Sequence, residues 1–498
     1  MLDRVEQVVD ASAVADKIEA RLPVGVRPRQ LLVRTLLVGM LLALKDGRPA
    51  HLTRVAKVLA SLSEPDQLRL GVVTEWKRGR HLLTYRQIER TYGLVCAALK
   101  KDEPDGTPSA MLSDVSDALV EASVPDELTH QTTALAIDWT DLETYSRPPS
   151  PNDLDCADKE ASWGHRSGAA PGQKDELFFG YFLSVATMVK EEDGQIVPEI
   201  ARAISLTTCA KDPVQAFVPV MQRLHASGHA IGDVLADSGY AHRTAANFAL
   251  PLRALGAQLV LDLHPHDRGE KGTFAGAIAS NGNLYCPATP KALLELSPVA
   301  RDALPEKITA HDHMASELSR YKLGAITTDD QDGYHRVMCP AAMAKLRCPL
   351  RPDSMTASYA KPEVLAPPQQ PPACCTQRTV TVPVEVNAKT RQKHDYPSKA
   401  HRISYARRTG SERTFSTVKD PATNDIARGW CRLMGVAAIT LFLACLFVAR
   451  NQRILDAFEE RRADEARRLA AGMPPRTRRR RRKTLSDLAG LAAANAPP

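Results

Sequence analysis

The sequence predicts an α/β protein: a helical N-terminal domain, then a mixed-sheet core interrupted by an insertion before its last helix. Three observations carry this. Residues 1–130 place apolar side chains at helical spacing. From Thr133 the pattern changes to short, nearly all-apolar runs such as Thr133–Asp138 (TALAID), as expected for strands buried on both faces. Residues 265–395 follow neither period and hold a proline patch at Pro367–Pro372.

In the first region the periodic segments are Leu31–Leu44, His51–Leu62, Thr84–Leu99 and Ala110–Ala122. Thr84 is placed to cap its helix, with Gln87 in the capping-box position. The core reads as strands at Thr133–Asp138, Leu177–Val189 and Glu199–Thr207, a helix at Pro213–Ala226 and a strand at Asp233–Asp237. A helix at Ala241–Leu255 and a strand at Gln258–Leu263 complete it. Trp163–Arg166 falls in the loop between the first two strands. Within the insertion only Arg378–Val386 looks strand-like. The chain re-enters the core at about residue 396 and leaves it at about 458, so the core is 131–264 plus 396–458 and the tail is 459–498.

A chain of 498 residues is long enough for two to four domains, and 44 % apolar with 25 % charged residues is ordinary for a globular protein. The net charge of +7 is unevenly spread. Residues 461–483 carry eleven Lys/Arg against two acids, and residues 21–90 carry fourteen against five. Segregated basic zones in an otherwise acidic chain point to several places that hold nucleic-acid backbone. Ten cysteines without a secretory signal imply a reducing cytosol rather than a disulfide framework. Five of them lie in the insertion. No CxxC pair occurs there, and adjacent cysteines rarely ligate one ion together, so buried thiols are preferred to zinc. The His264-Pro-His266-Asp267 cluster reads as an exposed loop. Leu433–Ala449 is apolar over 17 residues, shorter than the about 20 a membrane span takes, and reads as a buried core helix.

Two acids end buried strands. Asp138 follows a nearly apolar run, where an unpaired carboxylate is costly. Asp141, three residues on, would face the other side of a continuing strand. Asp237 ends the DVLAD run before Ser238-Gly239. Asp233 lies four residues earlier, about 13 Å along a strand, too far to share an ion. A third acid, Glu412, lies in SYARRTGSERTFSTVK, where Tyr405, Arg408, Glu412 and Lys419 stand at offsets 0, 3, 7 and 14. At about 100° per residue these fall within about 60° of one helix face. Gly410 lies inside the motif, which puts Tyr405 and Arg408 on the incoming turn if the helix starts there. One acid among a phenol, a guanidinium and an ammonium suits metal-dependent work on a phosphodiester.

The same spacing resembles the Y-(2)-R-(3)-E-(6)-K signature of the DDE transposases of bacterial insertion sequences, and it matches at every position. Asp237 similarly resembles that family's second acid, an apolar strand followed by Asp-x-Gly-Tyr. The strand and helix order is that of a ribonuclease-H-like core. The resemblance implies that Asp138, Asp237 and Glu412 hold Mg²⁺ or Mn²⁺ in a two-metal site. It implies that Tyr405, Arg408 and Lys419 contact the DNA backbone, and that the first 130 residues bind element ends. A dimer on double-stranded DNA, in the cytoplasm at the nucleoid, would then cut at terminal inverted repeats and join them to a target. Relatives that pass through a hairpin use an insertion tryptophan to stack a flipped base. None of the four tryptophans lies in this insertion, which leaves Tyr285 or Tyr334 to offer a π-face. The rival readings are a metal-dependent nuclease or resolvase on the same fold, and a degenerate DNA-binding regulator.

Overall fold

The structure is a computed structural model, which describes residues 1–24, 29–45, 51–76, 79–150, 155–166, 175–300, 302–328, 330, 333–423 and 425–474. The Arg478–Lys483 tract lies outside them. The chain is mixed α/β, with parallel and antiparallel pairing in one central sheet. Residues 1–451 form one compact unit. The other unit is described to residue 474 and is helical as far as Ala470.

The N-terminal region contains helices α1 (Leu2–Ser12), α2 (Val33–Lys45), α3 (Leu52–Ala60), α4 (Tyr85–Leu99) and α5 (Ala110–Glu121). The Thr84 backbone N–H donates to Gln87 Oε1 at 2.8 Å, closing the expected capping box. A short hairpin, Val73–Trp76 with Gly79–Leu82, went unread in the sequence.

Six strands make the central sheet: β1 (Leu135–Glu143), β2 (Ser162–Arg166), β3 (Glu176–Met188), β4 (Ala201–Thr208), β5 (Asp233–Ala236) and β6 (Gln258–Leu261). The order is β4-β3-β1-β5-β6. β3 runs antiparallel to β1 and β4, whereas β1, β5 and β6 are parallel. β2 shares an edge of β3 with β4, pairing Ser162–Arg166 with Gly180–Glu176. The loop expected at Trp163–Arg166 is therefore a strand. Its polar, glycine-containing sequence lacks the apolar run of a buried strand because it is an edge strand. Helix α6 (Pro213–Ala226) packs Phe217 and Met221 on the face that carries Leu135 and Ile137.

The helix expected at Ala241–Leu255 is broken. Asp237 caps a turn starting at Ser238, a 3₁₀ turn covers Ala245–Asn247, and the helix proper is Ala249–Ala254. Within residues 265–395 lie two three-stranded sheets and a helix at Pro305–Tyr321. The strand expected at Arg378–Val386 shrinks to Val380–Val382, because Pro383 has no N–H for the ladder. On its return the chain runs along β6: Lys393 N–H donates to Leu259 O at 2.9 Å, and Leu261 N–H donates to Gln392 Oε1 at 2.6 Å. An edge that would otherwise template other strands is thereby covered.

Helix α7 (Lys399–Tyr405), a 3₁₀ turn at Ala406–Arg408 and helix α8 (Thr409–Val418) follow. Helix α9 spans Val436–Ala470 and is long and apolar enough to cross a membrane by length and composition, yet its apolar stretch is mostly buried inside the protein. Its residues Leu441–Ala449 share one apolar cluster with Leu36 and Leu41 of α2, Tyr92 of α4 and Leu183 of β3. This is the core helix the sequence implied. Just beyond, the buried Arg450 donates to Thr417 Oγ1 at 2.8 Å, to Thr414 Oγ1 at 3.1 Å and to the Glu199 carbonyl at 3.1 Å. The core thus holds α8 in place.

Gly410 sits where α8 meets the sheet. A Cβ there would lie 2.6 Å from Val189 Cγ1 and force the helix outward. Gly410→Ala is expected to cost about 1–3 kcal/mol, measured by denaturant unfolding, and to displace Glu412 along with the helix.

Candidate active site

Asp138 lies on β1, Asp237 follows the end of β5, and Glu412 stands in the first turn of α8. The fold brings all three to one guanidinium. Arg408 Nη2 is 2.9 Å from Asp138 Oδ2 and 3.4 Å from Asp237 Oδ2, while Nη1 is 2.9 Å from Glu412 Oε1. Arg408 is able to do this because it closes the 3₁₀ turn just ahead of α8, which packs on β1. Asp138 lies within that strand, which runs on to Glu143 instead of ending at the acid as expected. The acids differ in setting. Asp138 is buried and also accepts from Ser411 Oγ at 3.3 Å and from the Trp139 N–H at 2.9 Å. Asp237 uses Oδ1 to cap the Gly239 and Tyr240 amides, which leaves Oδ2 for Arg408. The capping and catalytic readings of this aspartate are therefore compatible. Glu412 is more than half exposed.

Burial pushes the Asp138 carboxyl up to about 6; Arg408 opposes this and the neighbouring Asp237 adds to it. One guanidinium thus falls short of neutralising three carboxylates in a partly desolvated site. The Arg408 Nε is buried without a hydrogen-bond partner. The three carboxylates are hard oxygen donors of the kind Mg²⁺ or Mn²⁺ prefers over a thiolate-seeking metal. Their oxygens meet Arg408, however, and do not all lie within 4.8 Å of one another, so an ion would have to displace the guanidinium.

The four signature residues do not lie on one regular helix, because the 3₁₀ turn tightens the chain between Tyr405 and Thr409. Tyr405 ends α7, stacked on His401 with ring centroids 5.6 Å apart and packed against Ala134, Ala136 and Val260. Lys419 is the residue after α8, and its Nζ reaches Asp141 Oδ1 at 3.2 Å rather than the three acids. Asp141 also pairs with Arg166 at 2.6 Å. Although partly buried, Asp141 is held below the usual carboxylate range by Lys419 and Arg166. Asp141 is thus committed elsewhere, as its place on the strand implied. Asp233 is likewise engaged in a buried pair with Arg407 at 2.7 Å and with Lys393 at 2.8 Å. Adjacent arginines therefore serve opposite ends of the strands, Arg407 anchoring the turn and Arg408 serving the acids. Nothing in the sequence distinguished the two except the signature spacing. Of the two tyrosines left for base stacking, Tyr285 is 1 % exposed in the core of the insertion and offers no free face, whereas Tyr334 is exposed.

His401 supports the site from behind. Its Nε2–H donates to the Leu261 carbonyl at 2.9 Å, and burial lowers its pKa to about 4. The unfolded chain takes up a proton near pH 6.5, whereas the folded chain resists until about 4. Stability therefore falls as the pH drops through that window, by up to about 3 kcal/mol. The denaturant midpoints of the native protein and of His401→Gln at pH 7 and pH 4.5 will show this as a smaller acid loss in the variant.

Comparisons of the chain with protein-family models, with curated proteins and with solved structures find no match.

Proposed function

We propose that this chain is a DDE-type transposase built on a ribonuclease-H-like core, acting on double-stranded DNA. The observation that carries the reading is the convergence of Asp138, Asp237 and Glu412 on Arg408, within 2.9–3.4 Å. The strand order supports it: β3 is antiparallel to β1 and β4, β5 and β6 are parallel to β1, and Asp138 within β1 and Asp237 just past β5 lie beside a late helix.

Asp138, Asp237 and Glu412 would hold Mg²⁺ or Mn²⁺, which supply charge neutralisation and an activated oxygen nucleophile for in-line displacement at phosphorus. Arg408 carries the compensating charge at the base of the site and trades a carboxylate for a phosphate oxygen when DNA arrives. Its planar fork suits that exchange. The resemblance assigns Lys419 and Tyr405 to the DNA backbone; Lys419, exposed beside Asp141, would act there as a point charge. Helices of the first 130 residues would grip element ends, and two copies would pair them.

The test is a labelled duplex carrying the element end, incubated with Mg²⁺ or Mn²⁺ and resolved on a denaturing gel. Cleaved and joined products that depend on Glu412 support the reading. Hydrolysis without joining would indicate a nuclease, and binding without cleavage a regulator. Cleavage that persists in Glu412→Gln would overturn the triad.

A further inference from the structure

Residues 265–395 contain a second cluster, unrelated to the acids. Cys286, Cys339, Cys348 and Cys375 come from four separate segments and line one cavity of about 10 Å³, room for about one water-sized sphere. All four are buried. Apart from Arg351, every other residue lining that cavity is apolar, so the only ligand atoms offered are four sulfurs. Soft thiolates in a closed, apolar setting are the donor set of structural zinc.

Two further observations separate this from an ordinary thiol-containing core. Cys286, Cys339 and Cys348 each precede a proline, which cannot donate, and each carbonyl accepts from an amide three or four residues on in a turn. The Ala288 amide is thereby directed at Cys286, and the Leu350 and Arg351 amides at Cys348. Such N–H groups work against the burial that pushes the Cys286 and Cys348 thiols up. Beside them the Arg351 side chain lines the cavity with its Nε buried and unpartnered. The adjacent Cys374 shares with Cys375 the apolar cluster of Ala277 and Val382, but unlike Cys375 it does not line the cavity.

We propose that Cys286, Cys339, Cys348 and Cys375 form a structural Zn²⁺ site that fastens the two small sheets of the insertion together. Cys286 follows the Asn283–Tyr285 strand of one sheet, Cys339 follows His335–Met338 of the other, and Cys375 precedes Val380–Val382. Neither sheet exceeds three strands, and the apolar clusters around them are small, the situation in which a metal adds most to stability. On binding, four thiols release four protons and four Zn–S bonds form. The resulting centre carries two net negative charges, which Arg351 offsets in part. Among the described residues only His242, His264 and Asp267 already hold three ligand atoms within 4.8 Å of one another. No three of the four sulfurs meet that distance, so an ion would have to draw the cysteines closer together. The histidine group is the weaker candidate, because Lys389 lies 2.7 Å from Asp267 and puts a positive charge beside the carboxylate.

The zinc site does not depend on the catalytic reading, and its test does not measure catalysis. The full chain is expressed in zinc-supplemented medium, purified without chelator and analysed for metal by mass spectrometry. About one zinc per chain is expected, falling to less than about a tenth of that in the Cys348→Ser/Cys375→Ser double variant and unchanged in Cys374→Ser. A wild-type chain without zinc, or a double variant that retains it, overturns the proposal. Should the double variant not fold, cobalt exchange into the wild-type protein decides. Intense tetrahedral bands with thiolate-to-cobalt charge transfer are expected, and a weak octahedral spectrum overturns the site.

Discussion

Glu412→Gln is expected to give a folded chain that neither cuts nor joins DNA. Glu412 is more than half exposed, and its hydrogen bond at the site is to Arg408 at 2.9 Å. An amide can accept that same bond, so the change in stability should stay within about 0.5 kcal/mol. The charge, however, is lost. An anionic oxygen ligand becomes a neutral one at a centre where charge neutralisation of a phosphodiester is the main catalytic device. Removing one such element typically takes several kcal/mol from the barrier lowering, so product should fall by at least about 10³-fold. Parallel unfolding curves and gel assays of both proteins check the pair of outcomes. An inactive variant that is also unfolded would carry no weight. An active, folded one would move the catalytic acid elsewhere.

Much of this was legible in the sequence, for identifiable reasons. Buried central strands advertise themselves as apolar runs, and an acid at the end of such a run is conspicuous because burial without compensation is costly. The side each residue faces set Asp138 apart from Asp141, and distance along the strand together with the resemblance set Asp237 apart from Asp233. In the structure the two rejected acids are paired with Arg166 and Arg407. The capping box at Thr84 and the core helix after Leu433 were equally local signals. What escaped was nonlocal. β2 has no apolar period of its own, because half of its reason to be a strand is an unfilled edge of β3. The roles of Arg407 and Arg408 could not be separated from composition, since both are arginines in one turn and only tertiary placement sends them to opposite ends of the strands. The cysteines were visible individually, but Cys286 and Cys375 lie 89 positions apart. Without a short-range pair there was no spacing to read, and only the folded insertion brings them to one cavity.

Arg408→Ala carries the other large effect, and it links the acids to their counter-charge. Arg408 is 14 % exposed at its side chain and contacts Asp138, Asp237 and Glu412 together. Its removal leaves three carboxylates facing one another, one of them buried, with Ser411 as the nearest remaining side-chain donor to Asp138. Breaking a pair of this kind from one side costs about 3 kcal/mol, because the partner charges remain in place. The sign of the rescue is informative. A divalent ion binds the folded acid cluster and not the unfolded chain, so it restores stability by mass action, about 2.7 kcal/mol at a concentration 100 times its dissociation constant. The wild-type protein should gain less, since there the ion competes with the guanidinium for the same oxygens. Thermal unfolding of both proteins in EDTA and in Mg²⁺ measures the difference directly. A variant whose deficit is the same in both conditions would mean that the carboxylates converge without holding a cation. A deficit erased by Mg²⁺, with activity still lost, would separate the arginine's work on DNA from its work on the acids.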